Sequence, residues 1–172
     1  EVKSVNGLSN LGGEDFDNKL IEYCLNEFKS KKGVDKMNII NNPRALRRLR
    51  TECEKAKKIL SSSTKTIIEI FNLMDGEDLI IEITRDIFED LCIDLFKKCL
   101  IPIENVLKDA NMNKSQIDTI ILTGGSSRIP KIQELIREYF DGSNIIKQLN
   151  SDEVVSSGAS IRAAIMSGIH QI

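Results

Sequence analysis

Gly124, Gly125 and Ser126 stand between a short apolar run, Ile117, Ile120, Ile121 and Leu122, and a helix-periodic one, Ile132, Leu135, Ile136 and Tyr139. Glycines lack a Cβ and let an anion reach the main chain, while free N–H groups and the dipole of a following helix favour negative charge there. Pro130 suits the first helical turn, where a missing N–H costs nothing. The apolar run reads as a strand covered on both faces, with a helix starting right after the glycines. That phrase is shaped to meet a phosphate-bearing ligand. It also reads as plain tight-turn chemistry between a strand and a helix.

A second group lies upstream. Glu54, Lys57, Lys58 and Ser61 fall at i, i+3, i+4 and i+7, and so share one polar helix face, about 100° or more from the stripe Leu46, Leu49, Cys53, Ala56 and Leu60. A carboxylate can accept bonds from ribose hydroxyls and an ammonium can donate to them. A cationic side chain can cover a base, and a serine hydroxyl can serve a ring nitrogen. A solvated face with a Glu54–Lys58 pair is the plainer account of the same spacing.

These groups need elements to hold them. Asn42 as N-cap and Pro43 at the first position start the long helix that carries Glu54 to Ser61. Gly12-Gly13 opens an earlier helix, with Glu14, Asp15 and Asp17 at its positive end and Phe16, Leu20, Cys24 and Phe28 on its buried side. Lys29 to Asn42 is polar and turn-rich and reads as a loop. Ile68 and Ile70, then Asp75-Gly76, then Leu79, Ile81 and Ile83 read as two strands joined by a turn. Thr84 caps a helix with Phe88, Leu91, Cys92, Leu95 and Phe96 on one face, which Pro102 should kink or end. Asn150 with Glu153 suggests a capping box before a last helix, where Gly158, Ala159, Ala163 and Ala164 permit close packing. This order gives an α/β fold with a helix, helix and hairpin inserted in its first half.

Composition narrows the partners. The chain has 172 residues, 41% hydrophobic and 29% charged, enough for a real core, with a net charge of −2 and a pI near 5.6. No global basic field invites nucleic acid, and no stretch approaches the roughly 18 apolar residues of a membrane span. The strongest local positive run, Arg44, Arg47, Arg48 and Arg50, has no interleaved aromatic residue to stack on bases. Cys24, Cys53, Cys92 and Cys99 form no C-x-x-C pair and sit on apolar stripes, so they read as core thiols in a reducing compartment. The single histidine, His170, has no clustered partner for a metal. The start EVKS is no secretory signal and suggests a piece of a longer protein.

Four phrases, LGGEDFDNKL, LRRLRTECEKAKKILSSST, GGSSRIPKIQ and SDEVVSSGASIRAA, resemble the seventy-kilodalton heat-shock chaperones from Glu1 to about Gly168. The resemblance implies the second lobe of an actin-like (ribonuclease-H-like) ATPase domain. Residues 1–11 and 93–172 would be its α/β core, and residues 12–92 an inserted smaller, mobile α+β subdomain. It implies ATP or ADP as ligand, with Mg2+ held through the first lobe. Glu54 and Lys57 would face the ribose, and Lys58 and Ser61 would line the adenine slot. Arg128 would cover the base, Gly124, Gly125 and Ser126 would lie near ribose and first phosphate, and Gly13 and Asp152 would complete the wall. Arg47 and Glu69 match the region gripped by nucleotide-exchange factors.

The resemblance further implies J-domain co-chaperones and, through a separate peptide-binding domain, unfolded polypeptides as partners, with no nucleic acid and no membrane. A cytoplasmic setting is favoured, with an organelle lumen open. The first-lobe phosphate loop and catalytic lysine have no counterpart here, so these residues alone should not turn over ATP. Several positions depart from the family pattern: Lys58 for arginine, Ser127 for threonine, Leu8 and Asn10 for Asp and His, Ser151 for proline, and Ser156-Ser157 for Ala-Tyr. A point-like ammonium at Lys58 covers a base less well than a planar guanidinium. Two rivals stand beside this reading: a docking module for exchange factors without nucleotide binding, and a small-molecule kinase of the same superfold.

Overall fold

A computed structural model describes residues 1–142, 150 and 153–168, with the backbone of residues 145–146. Asp152 and His170 lie outside the described residues. The chain divides into two compact units, Gly7–Pro102 and Glu1–Asn6 with Ile103–Ile172.

Gly7–Pro102 is built around α1 (Gly13–Lys32), α3 (Pro43–Leu60) and a hairpin of β1 (Lys65–Met74) and β2 (Glu77–Thr84), closed by α4 (Arg85–Lys98). Helix α1 buries Phe16, Leu20, Cys24 and Phe28, as its periodicity requires, and ends on Gly33 at φ 72°. Asn42 caps α3 as expected, its Oδ1 accepting from the amides of Arg44 and Ala45 with Pro43 at the first position. Leu49, Cys53, Ala56 and Leu60 face inward from α3 against α1 and β1. Strands β1 and β2 are antiparallel, with Ile68 opposite Ile81 and Ile70 opposite Leu79, all four buried. Asp75 (φ 55°) and Gly76 (φ 82°) both take positive φ in the two-residue turn, the backbone that matches strand twist. The cap on α4 is Thr84, whose Oγ1 accepts from the Ile87 amide.

An aromatic cluster ties α1 to α4. Phe16 and Phe96 have ring centroids 5.2 Å apart, and Phe88 meets Phe96 edge-on at 6.0 Å. One expectation needs correction in this unit. The segment from Lys29 to Asn42 is not all loop: α1 runs to Lys32, and a five-residue helix α2 (Lys36–Ile40) follows, capped by Asp35 and anchored by fully buried Ile39. A single turn with one anchoring side chain carries no periodicity to read. The helix ends as Pro102 requires: the break falls at Cys99, and α5 (Leu100–Asp109) holds Pro102 in its first turn and carries Ile103, Val106 and Leu107. The proline ring would strike the carbonyl four residues back, so the helix must break upstream of it.

The second unit holds α5 from Ile103 onward, β3 (Ile120–Ile121), α6 (Pro130–Tyr139), β4 (Ile145–Ile146) and α7 (Val154–Met166). Helix α6 places Pro130 at its first position and buries Ile132 and Ile136. Strand β3 is only two residues long, pairs in parallel with β4, and leaves Ile121 half exposed, so the fully covered strand read from the apolar run is absent among the described residues. Apolar content expresses a need for cover and does not supply the covering layer. The helix also does not follow the glycines directly. A 3-10 turn, Gly125–Arg128, comes between. Before α7 the Asn150 carbonyl accepts from the amides of Glu153 and Val154, and the first turn of the expected capping box lies outside the described residues.

Candidate functional site

The polar face of α3 resolves into two pairs of different character. Lys57 is nearly buried and donates from Nζ to the Gly13 carbonyl at 2.7 Å and to Asp17 Oδ2 at 2.8 Å, which ties α3 to the first turn of α1. Its Nζ also stands 2.8 Å from Asp17 Oδ1, which accepts no hydrogen bond and is served by charge alone. Burial therefore raises the Asp17 carboxyl above the ordinary range, with the Lys57 hydrogen bond and charge pulling back. Asp17 was legible in sequence only as a helix-start acid; its grip on Lys57 spans 40 residues and has no local signal.

Glu54 and Lys58 form the exposed pair, Nζ to Oε1 at 2.7 Å. Their hydrogen bond lowers the Glu54 carboxyl and raises the Lys58 ammonium. This is the solvated i, i+4 pair that spacing alone allows, and both side chains stay open to a ligand. Ser61 ends α3 with its hydroxyl donating to the Lys57 carbonyl at 3.4 Å, a long bond that a better acceptor could displace. Gly13, Glu54, Lys57, Lys58 and Ser61 thus gather where α3 meets the start of α1. Beside them a recess of about 350 Å³ is lined by Glu14, Asp17, Asn18, Arg47, Arg50 and Glu54.

Adjoining that recess, Arg47 and Glu69 line one groove of about 350 Å³ with Arg44, Arg48, Thr51 and Phe71. Arg48 is committed to structure there. Its guanidinium donates to the carbonyls of Phe71 at 2.6 Å and Asn72 at 3.0 Å, where β1 bulges and Asn72 turns to φ 46°.

In the other unit, Gly124 adopts φ 82° and ψ 156°, a conformation essentially reserved for glycine. A Cβ built on Gly124 or Gly125 meets nothing within 4 Å, so backbone conformation at Gly124, not crowding, selects the residue. The Gly124 carbonyl accepts from the Ser127 amide at 3.1 Å and the Ser127 hydroxyl at 2.7 Å. Gln133 Nε2 then donates to the Ser127 carbonyl at 2.8 Å, clipping the turn to α6. Ser126 is half buried and Arg128 is exposed on this turn. The surroundings of Gly124 and Gly125 are open enough for an anion to meet the main chain. Among the described residues no His, Cys, Asp and Glu cluster could hold a metal ion.

The whole of residues 1–172 matches the family model described as Hsp70 protein. The chain belongs to the Hsp70 family. Among Hsp70 relatives, "Heat shock cognate 70 kDa protein 3" of Dictyostelium discoideum is 52% identical over 98% of this chain and 26% of its own length. "Heat shock 70 kDa protein" of Neurospora crassa is 53% identical over 98% of the chain and 26% of its own length. "Ribosome-associated molecular chaperone SSB" of Candida glabrata is 52% identical over 97% of the chain and 27% of its own length. The chain therefore spans about a quarter of the length of these curated Hsp70 relatives. No helix of the described residues is long and apolar enough to cross a membrane.

Proposed function

We propose that this chain is the second lobe of a chaperone's actin-like ATPase domain, and that it binds the adenosine and part of the phosphates of ATP or ADP and moves during nucleotide exchange. The observation that carries the reading is the state of the α3 face within an Hsp70-family chain: Lys57 fixed by Gly13 and Asp17, with the Glu54–Lys58 pair exposed beside it. A pinned ammonium is a pre-organised donor. Two of its three N–H groups are used by protein, leaving one for a ribose hydroxyl without further ordering cost.

In this reading Glu54 accepts from the ribose, Lys58 and Ser61 serve the adenine, and Arg128 covers the base. Gly124, Gly125 and Ser126 offer main-chain approach to the ribose and first phosphate, and Gly13 and Asp152 complete the wall. In this reading hydrolysis and the Mg2+ ion belong to first-lobe residues outside this set. Output would be capture of unfolded polypeptide elsewhere in the parent protein, with J-domain co-chaperones and exchange factors as regulators. The groove holding Arg47 and Glu69 is the surface we assign to an exchange factor, and the inserted subdomain is the part that moves. Free thiols favour a cytoplasmic setting.

Affinity in isolation should be low. Contacts worth about 0.5–3 kcal/mol each must offset at least roughly 4 kcal/mol of association entropy. The test is a proton–nitrogen NMR titration with ADP to millimolar concentration, repeated with Ser61→Ala and Arg128→Ala. Saturable shifts in the amides of residues 54–61 and 124–128, weakened by either substitution, are expected. Saturable shifts that neither substitution alters would refute the assigned site.

A further inference from the structure

We propose that Cys24 and Cys53 form an oxidative modification site: a dithiol that a peroxide closes into a disulfide linking α1 to α3. Cys24 and Cys53 are 29 residues apart in sequence, yet the Cys53 thiol points at the Cys24 sulfur across 4.0 Å, and both residues are fully buried. Two packed helices make this reachable. With axes about 8–10 Å apart and Cα atoms about 2.3 Å from each axis, facing Cα atoms come within about 3.5–5.5 Å, overlapping the separation a disulfide spans. Closing the gap to about 2.05 Å needs a side-chain rotation and a small approach of α3 to α1, not a rearrangement of the fold.

The step balances with a peroxide as oxidant. One sulfur of the pair attacks one peroxide oxygen, the O–O bond breaks, and the departing oxygen leaves as water, giving a sulfenic acid. The other sulfur then attacks the sulfenic acid, forming the S–S bond and releasing a second water. Two thiols lose two electrons and two protons, and one peroxide is reduced to two waters. The Cys53 thiol holds its proton firmly, because the contact with Cys24 and burial both push it far up. Burial also keeps the pair silent until the helices part locally, so its oxidation reports opening of this unit.

The other thiols are placed differently. Cys99 donates to the Leu95 carbonyl at 3.4 Å, and burial pushes the Cys92 thiol up to about 12. Cys53 immediately precedes Glu54, and the new bond would join the two helices that Lys57 already bridges.

The experiment is to expose the folded chain to hydrogen peroxide without denaturant, block remaining thiols with N-ethylmaleimide, and map disulfides by mass spectrometry. The expected product is about 2 Da lighter before alkylation, with Cys24 and Cys53 in one linked peptide, Cys92 and Cys99 alkylated, and full reversal by dithiothreitol. Cys24→Ala should abolish the linked peptide and leave Cys53 alkylatable only after unfolding. Sulfinic acids or intermolecular dimers in place of the Cys24–Cys53 peptide, or a link that forms only in denaturant, would overturn the proposal. The mapping on the unsubstituted chain decides the matter even if the variant folds poorly.

Discussion

Lys57 shows how one side chain can be both scaffold and candidate ligand. Its ammonium neutralises a carboxylate that the fold has largely removed from water, so deleting it strands a buried charge. Lys57→Met should cost about 3 kcal/mol in urea unfolding, whereas Glu54→Gln, which breaks only an exposed pair, should leave the midpoint nearly unchanged. The pH dependence carries a sign. The folded-state pKa of Asp17 is raised, so the native state holds this proton where the unfolded state has lost it. Stability from this group is present below the unfolded carboxylate pKa and falls as pH rises through the raised one. Urea midpoints of the native chain and Asp17→Asn, compared from about pH 3 to pH 7, should diverge in favour of the variant as pH rises. A constant difference would remove Asp17 from the account.

At the scale of elements, α3 matters most, since it carries the proposed nucleotide face, the arginine groove and Cys53. Its start depends on one side chain that satisfies two orphan amides, so Asn42→Ala should destabilise by about 1–2 kcal/mol while Asn42→Asp should retain most of the cap. Chemical denaturation followed by far-UV circular dichroism measures both. Elements set by near neighbours were legible in sequence: α1 and α3 by their 3.6-residue stripes and caps, the hairpin by alternation around Asp75-Gly76. Less legible were α2, a single turn anchored by Ile39, and β3, whose extent depends on a neighbouring strand. The β1 bulge was unreadable as well, because it rests on Arg48 reaching carbonyls 23 and 24 residues away.

For the whole molecule, apolar burial is uneven. Among the described residues, only Leu107, Ile129, Ile132, Ile136 and Phe140 are buried apolar side chains beyond Pro102, against the clustered Phe16, Phe88 and Phe96 and their neighbours before it. Helix α7 leaves Val155, Ile161, Ile165 and Met166 exposed. Amide exchange tracks local opening, so α1, α3 and α4 should exchange slowest and α7 fastest, by at least about tenfold, in hydrogen–deuterium mass spectrometry of the isolated chain. Equal protection across residues 1–168 would contradict that partition.

The sequence by itself determined the family, helices α1, α3 and α4 and the hairpin of the first unit, the capping of α3 and the glycine turn, because each rests on neighbours within a few residues or on a phrase of fixed order. Tertiary structure alone decided that Lys57 is held by Gly13 and Asp17, that Arg47 and Glu69 line one groove, and that Cys24 meets Cys53. Those pairings join residues tens of positions apart. Only the packing of α3 against α1 and β1 brings them together, because periodicity specifies which face is buried and not which residue lies opposite.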